Sequence, residues 1–169
     1  DTDTIFLIPF SNLLSNNIIS GKSVVNKKSR IPQRNEEFNE SFEFPDEATG
    51  RLTRRLTSNR QFNQKPTYHL SSGFSPDDKY MTFCTWNEGD ASALVRANIE
   101  TGDCKVIDYA RAGADFEFTS GNSLEMIPKT NFTVIRYGQS IRIYDIYSGE
   151  IIFSKNSDNK GYFSGAAGT

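Results

Sequence analysis

Histidine is almost absent from this 169-residue chain; the single copy is His69. A multi-histidine metal centre therefore cannot be assembled within the sequence. Cysteine is nearly as scarce, with only Cys84 and Cys104, and their separation fits no zinc pattern. No apolar run approaches about 18 residues, so no helical membrane span is expected. Neither sign of charge dominates: 19 basic against 21 acidic residues leave a net −2. That balance removes the broad basic field that nucleic-acid binding requires. It leaves an anionic polysaccharide open, because a few basic side chains in one groove suffice to hold it. The first residues, DTDTIFLIPF, lack a basic leader segment and an initiator Met, and read as a processed or trimmed end. Two sequons, at Asn39 and Asn131, carry little weight in an Asn-rich chain. No Ser-His-Asp set, nucleotide loop or calcium loop is evident.

What the chain does contain is turn chemistry. Aromatics make up 12% and there are 12 glycines, which suits an all-β protein. Tyr68–Asp108 reads as four short strands with three polar turns: Ser75-Pro76-Asp77-Asp78, Asn87-Glu88-Gly89-Asp90 and Glu100-Thr101-Gly102-Asp103. Proline pre-sets φ in such turns, and Asp bonds its own backbone. The strands fall at Tyr68–Phe74, Tyr80–Trp86, Ala93–Ile99 and Cys104–Ile107. On that reading the two cysteines lie on strands that are not neighbours, which favours two small thiols over a disulfide.

A second unit repeats the layout over 115–154. Asn131–Tyr137 and Ser140–Ile146 alternate, Ser148-Gly149-Glu150 turns, and Ile151–Ser154 closes the unit. Its first strand is blurred within Asp115–Met126. The period is roughly 47 residues, as expected of β-propeller blades. Residues 1–50 read as an extended arm with edge strands, 51–156 as two blades, and 157–169 as a polar tail or the opening of a third. Ser58–Thr67 reads as a polar linker. Propellers need about four to eight blades. Three arrangements therefore stay open: an N-terminal piece of a larger propeller, assembly with other chains, or a small sandwich.

The stretch Asp46–Asp108 resembles the N-terminal blade region of the oligogalacturonate lyases and related propeller lyases acting on ulvan-like uronate polymers. The resemblance rests on Asp46 with Thr49-Gly50, on RRLTS at Arg54–Ser58, on the Tyr68-His69 pair, on FSPDDKYMTF at Phe74–Phe83 and on NIETG at Asn98–Gly102. It covers about a third of the chain. It implies a propeller of roughly seven or eight blades and β-elimination: a base removes the C5 proton of a uronate and the 4-O-linked sugar leaves. Such lyases use His and Arg on the central face, often with a metal held by several His. With one histidine, any divalent metal here would need ligands from blades beyond these residues.

His69, on the first strand of the clearest blade, is the candidate base, acid or substrate clamp. Tyr68 beside it reads as packing. Arg136 and Arg142 are candidate grips on a uronate carboxylate, since a guanidinium fork matches that group. Arg60, with Arg54 and Arg55, flanks the first blade and faces the same class of ligand. Trp86, at a strand end, is a candidate sugar platform. Arg96, between Val95 and Ala97, reads as a solvated mid-strand cation. Each of these residues also has an ordinary structural reading as core, turn or wet face. The expectation is thus a polysaccharide lyase-like protein or a fragment of one, in a secreted or periplasmic setting. A non-catalytic propeller module that binds glycan or protein is the alternative, and the sequence leaves open whether the chain is an enzyme.

Overall fold

The computed structural model describes residues 33–58, 63–67, 72–87, 91–118, 124–137 and 139–156. All of these belong to one compact unit, Ile31–Thr169. The described residues form strands and turns and no helix. The strands are β1 (Glu37–Asn39), β2 (Phe42–Pro45), β3 (Leu52–Arg55), β4 (Asn63–Pro66), β5 (Tyr80–Asn87), β6 (Ala91–Asn98), β7 (Asp103–Arg111), β8 (Leu124–Met126), β9 (Phe132–Tyr137), β10 (Ser140–Asp145) and β11 (Ile151–Asn156). They make a five-stranded sheet in the order β1-β7-β6-β5-β4, a four-stranded sheet in the order β11-β10-β9-β8, and a hairpin of β2 and β3. Every pairing is antiparallel.

In the first sheet the central β6 carries small or apolar residues at Ala91, Ala93, Leu94, Val95 and Ala97, and Ala91–Val95 are all buried. A strand buried on both faces has that composition. Phe83, Ala93, Val95, Ala97, Cys104 and Val106 share one cluster, which Phe38 and Leu56 also touch. Cys84, Leu94 and Ile107 point the other way, onto Leu124, Ile135 and Tyr144 of the second sheet; Phe116 and Phe118, from the connection between the sheets, seal the join. Burial of a Leu94-sized side chain contributes about 2 kcal/mol. The two thiols are free and buried on opposite faces. Burial, first, and then the charges of Glu40 and Asp103 push the Cys104 thiol up to about 12.

One turn recurs three times: Asp46–Gly50, Asn98–Gly102 and Asp145–Gly149. In each, the glycine N–H donates to the first residue's carbonyl, at 2.8, 2.9 and 2.8 Å. The first residue's side-chain oxygen accepts backbone N–H groups from inside the turn, including those of Thr49 at 2.8 Å, Thr101 at 3.0 Å and Ser148 at 3.1 Å. The glycines sit at φ 66°, 78° and 75°, where a Cβ is strained.

The structure differs from the sequence expectation at the start of the first sheet. Part of the expected polar linker is a strand: Asn63–Pro66 pairs with β5, Pro66 opposite Phe83. Phe74 then meets Met81 in an isolated bridge. These two contacts bracket the interval Thr67–Gly73. His69 and Tyr68 fall in that interval and lie outside the described residues. The charged segment before Glu40 falls in the stretch expected to hold an extended arm with edge strands. Its Glu37–Asn39 pairs with β7 and forms the outer edge of the sheet.

Candidate functional site

The chemistry-bearing side chains that the structure brings together lie at the join of the two sheets. A β-bulge begins the arrangement. Leu94 pairs with Asp108 and Val95 with Val106, so Ile107 is the extra residue. A bulge turns two successive residues toward one side, which explains why Ile107 and Asp108 both face the second sheet. From that sheet Arg142 and Tyr144, two apart on β10, point back across the join.

Tyr144 is fully buried, and its hydroxyl donates to Asp108 Oδ2 at 2.8 Å. Arg142 Nη1 lies 3.8 Å from the same oxygen, with side-chain exposures of 30% for the arginine and 15% for the aspartate. The Arg142 guanidinium also stacks on Phe116, 4.0 Å from the ring centroid, a cation–π contact. Phe116 in turn meets Tyr137, with centroids 6.0 Å apart. Burial, chiefly, holds the Tyr144 hydroxyl well above its ordinary pKa; the Asp108 charge adds to this and the Arg142 hydrogen bond opposes it. Tyr137 is also raised, by burial first and then by the charge of Glu117. Glu117 Oε1 accepts the Gly113 N–H at 2.8 Å. An anion that reached Arg142 would compete with Asp108 for it.

Among the described residues singled out from sequence, only Arg142 lies in this cluster. Arg136 pairs with Ile141, whereas Arg142 pairs with Ile135. The two arginines therefore project from opposite faces of the second sheet and cannot close on one carboxylate from the same side. Trp86 is half-buried on β5 opposite Ser92, and Ser92 Oγ accepts the Phe118 N–H at 2.8 Å. His69 and Arg60 lie outside the described residues. Arg54 bridges Glu43 and donates to the Ile99 carbonyl at 3.1 Å. Arg55 Nε donates to the Thr57 carbonyl at 2.7 Å.

Arg96 is not the solvated cation its neighbours suggest. Its Nη1 donates to the Ile146 carbonyl at 2.9 Å, and its guanidinium lies 4.6 Å from the Tyr80 ring centroid. Tyr80 packs edge-on against Tyr147 at 5.3 Å, and Arg34 Nη2 donates to the Gly149 carbonyl at 2.7 Å. Two arginines thus hold the β10–β11 turn against the first sheet. Sequence reasoning missed Asp108, Glu117 and Tyr144. Asp108 read as the last residue of the first blade, just after its closing strand, and no pattern in the sequence marks the bulge that aims it.

Among the described residues no group of three or more His, Cys, Asp or Glu is placed to hold a metal ion. They do not fit a resident cation, and ligands for one would come from elsewhere.

No protein-family model matches the chain, and no curated protein matches it in sequence. Solved structures do match in fold. An oligogalacturonate lyase in complex with manganese is similar at TM-score 0.54 and 15% identity, over 70% of this chain and 30% of that one. The oligogalacturonate lyase from Vibrio parahaemolyticus is similar at TM-score 0.53 and 13% identity, over 73% of this chain and 31% of its own. The chain is all-β and shares the propeller-type fold of these proteins, and it spans about a third of their length.

Proposed function

We propose that this chain is part of a polysaccharide lyase-like protein that cleaves uronic-acid-containing glycans by β-elimination. The observation that supports this reading is the likeness in fold to two oligogalacturonate lyases over at least 70% of the chain. The reaction needs a base for the C5 proton; the C–H electrons form the C4–C5 double bond, the C4–O bond breaks, and the leaving oxygen takes a proton. His69 is the side chain in this sequence suited to act as base or acid near neutral pH. In this reading Arg142, now 3.8 Å from Asp108, would exchange that partner for a uronate carboxylate and so make the C5 proton more acidic. Trp86 offers a ring for a sugar face, and Arg60 and Arg136 are basic contacts for the rest of an anionic chain. A secreted or periplasmic location belongs to the same proposal.

A non-catalytic module that binds glycan or protein is the competing reading. It is favoured by the engagement of Arg142 with both Asp108 and Phe116, which spends the guanidinium on holding the sheets together. The native protein, offered oligogalacturonate and ulvan-type substrates, separates the two. The lyase reading requires growth of the ultraviolet absorbance of an unsaturated uronate. Binding without any such product supports the module, and absence of both removes the glycan reading. Once activity is seen, His69→Ala should lower kcat/KM by about 100-fold or more; an unchanged value removes His69 from the chemistry.

A further inference from the structure

Near its outer edge, the face of the first sheet that meets the second carries polar side chains that the join leaves largely unused. Register and alternation put Tyr80, Arg96, Asn98, Asp103, Lys105 and Glu37 on that one face. They line a cavity of about 460 Å³, a size typical of small-molecule sites. Hydrogen bonds within the fold decide what it can take. The acceptors are already engaged. Asp103 Oδ1 accepts from Asn39 Nδ2 at 2.9 Å, and its Oδ2 from Thr101 Oγ1 at 2.6 Å. Asn98 Oδ1 accepts the Glu100 and Thr101 N–H groups at 2.9 and 3.0 Å. The donors are not engaged. Arg96 uses Nη1 on the Ile146 and Tyr147 carbonyls, which leaves Nε and Nη2. Asn98 Nδ2, the Tyr80 hydroxyl and the Lys105 ammonium meet no acceptor among the described residues. All four side chains are half-buried. Arg96 and Lys105 also stand directly opposite each other on β6 and β7, and like charges so placed repel. Glu37 is opposite Lys105 on the other side, without an ion pair between them.

We propose that this cavity binds an oxyanion: a carboxylate, sulfate or phosphate group, free or carried on a single sugar ring. The anion takes charge-assisted hydrogen bonds from Lys105 and from the open edge of Arg96, with Asn98 Nδ2 beside them. Its charge removes the repulsion between the two cations. A cation or a neutral sugar is disfavoured, because Glu37 is the one lining carboxylate left to receive it. None of the lining residues belongs to the Asp108–Arg142 cluster. The inference is therefore independent of the catalytic reading and holds equally for a binding module.

Isothermal titration of the native protein tests it, with sulfate, inorganic phosphate, galacturonate and glucose as probes. Binding of either inorganic anion marks a free oxyanion, and binding of galacturonate alone marks a sugar-borne one; either supports the proposal. In both cases Lys105→Gln should weaken the affinity by about tenfold or more, and Lys155→Gln, an exposed cation on β11, should leave it unchanged. Glu37→Gln removes the competing carboxylate and should tighten binding by about threefold. Glu37 is exposed, so this variant decides the matter should Lys105→Gln fail to fold, and a failure to tighten then overturns the proposal. Absence of binding by all three anions at millimolar concentration overturns it as well. So does glucose binding as tightly as galacturonate, or an affinity that a folded Lys105→Gln variant retains in full.

Discussion

Replacing Tyr144 by Phe removes one hydroxyl from the join between the sheets and nothing else. The ring keeps its volume, so no cavity opens among Leu124, Ile135 and Phe118. What is lost is the 2.8 Å bond to Asp108. A hydrogen bond to a charged acceptor contributes about 1.5–3 kcal/mol. Asp108 keeps 15% of its side chain in water, and Arg142 still stands 3.8 Å away, so the loss falls at the lower end, about 1.5–2 kcal/mol. With a urea m-value of about 2 kcal/mol/M for a domain of this size, the midpoint should drop by about 0.8–1 M with m unchanged. The double-mutant cycle with Asp108→Asn is the sharper reading. Because the two side chains meet directly, their effects should fall short of additive by about 1 kcal/mol. A midpoint shift below about 0.2 M, or strict additivity, would show that water serves Asp108 as well as Tyr144 does, and the account of the junction would be wrong.

Other substitutions probe other parts of the structure. Thr82 is fully buried and its Oγ1 has no hydrogen-bond partner among the described residues, so Thr82→Val should stabilise the chain by about 1 kcal/mol in a thermal melt; a loss of that size would reveal a bound water. Gly50→Ala meets nothing within 4 Å and should cost only the strain of its positive φ, about 1 kcal/mol. Gly102→Ala drives its Cβ into the Ser41 side chain and should cost clearly more by chemical denaturation; equal losses would mean that Ser41 swings away freely. The Asp46, Asp77 and Asp103 carboxyls have pKa values lowered first by hydrogen bonds from Thr49, Ser75 and Thr101. Their stabilisation is therefore fully present above the ordinary carboxylate range near about 4 and is lost as pH falls through the lowered values. Asp46→Asn with Asp103→Asn should flatten the acid limb of a stability–pH curve, and an unchanged limb would refute the assignment.

The strands that sequence reading located best are those bounded by strong turns. Asp77 and Asp78, the Asn98–Gly102 segment and the Asp145–Gly149 segment punctuate β5, β6, β7, β10 and β11, and these strands lie within a few residues of their expected bounds. Two strands were illegible for a physical reason. Asn63–Pro66 is an edge strand of polar residues ending in proline, so neither alternation nor β-branched composition marks it. Glu37–Asn39 is three residues long, and only its partner β7 gives it a strand's conformation. The site was less legible than the fold. Alternation on β9 and β10 says that Arg136 and Arg142 stand on a face, but not on which one; that is decided by the register across the pair. Asp108 owes its direction to one unpaired residue, which no periodicity reveals.

The Asn98–Gly102 and Asp145–Gly149 turns lie at one pole of the stacked sheets and the inter-sheet connection at the other. At one pole Arg34 and Arg96 fasten the β10–β11 turn through its carbonyls. At the other, the segment with Phe116 and Glu117 meets Tyr137 at the end of β9. Substitutions in the fastened pole act on stability, whereas the opposite pole can vary its side chains while the frame beneath it stays fixed. A directed-evolution library aimed at changing what this protein recognises therefore belongs on residues 112–115, Glu117 and Tyr137, with the buried Phe116 and Phe118 left in place. Leaving the arginine-clasped turn untouched would keep most variants folded.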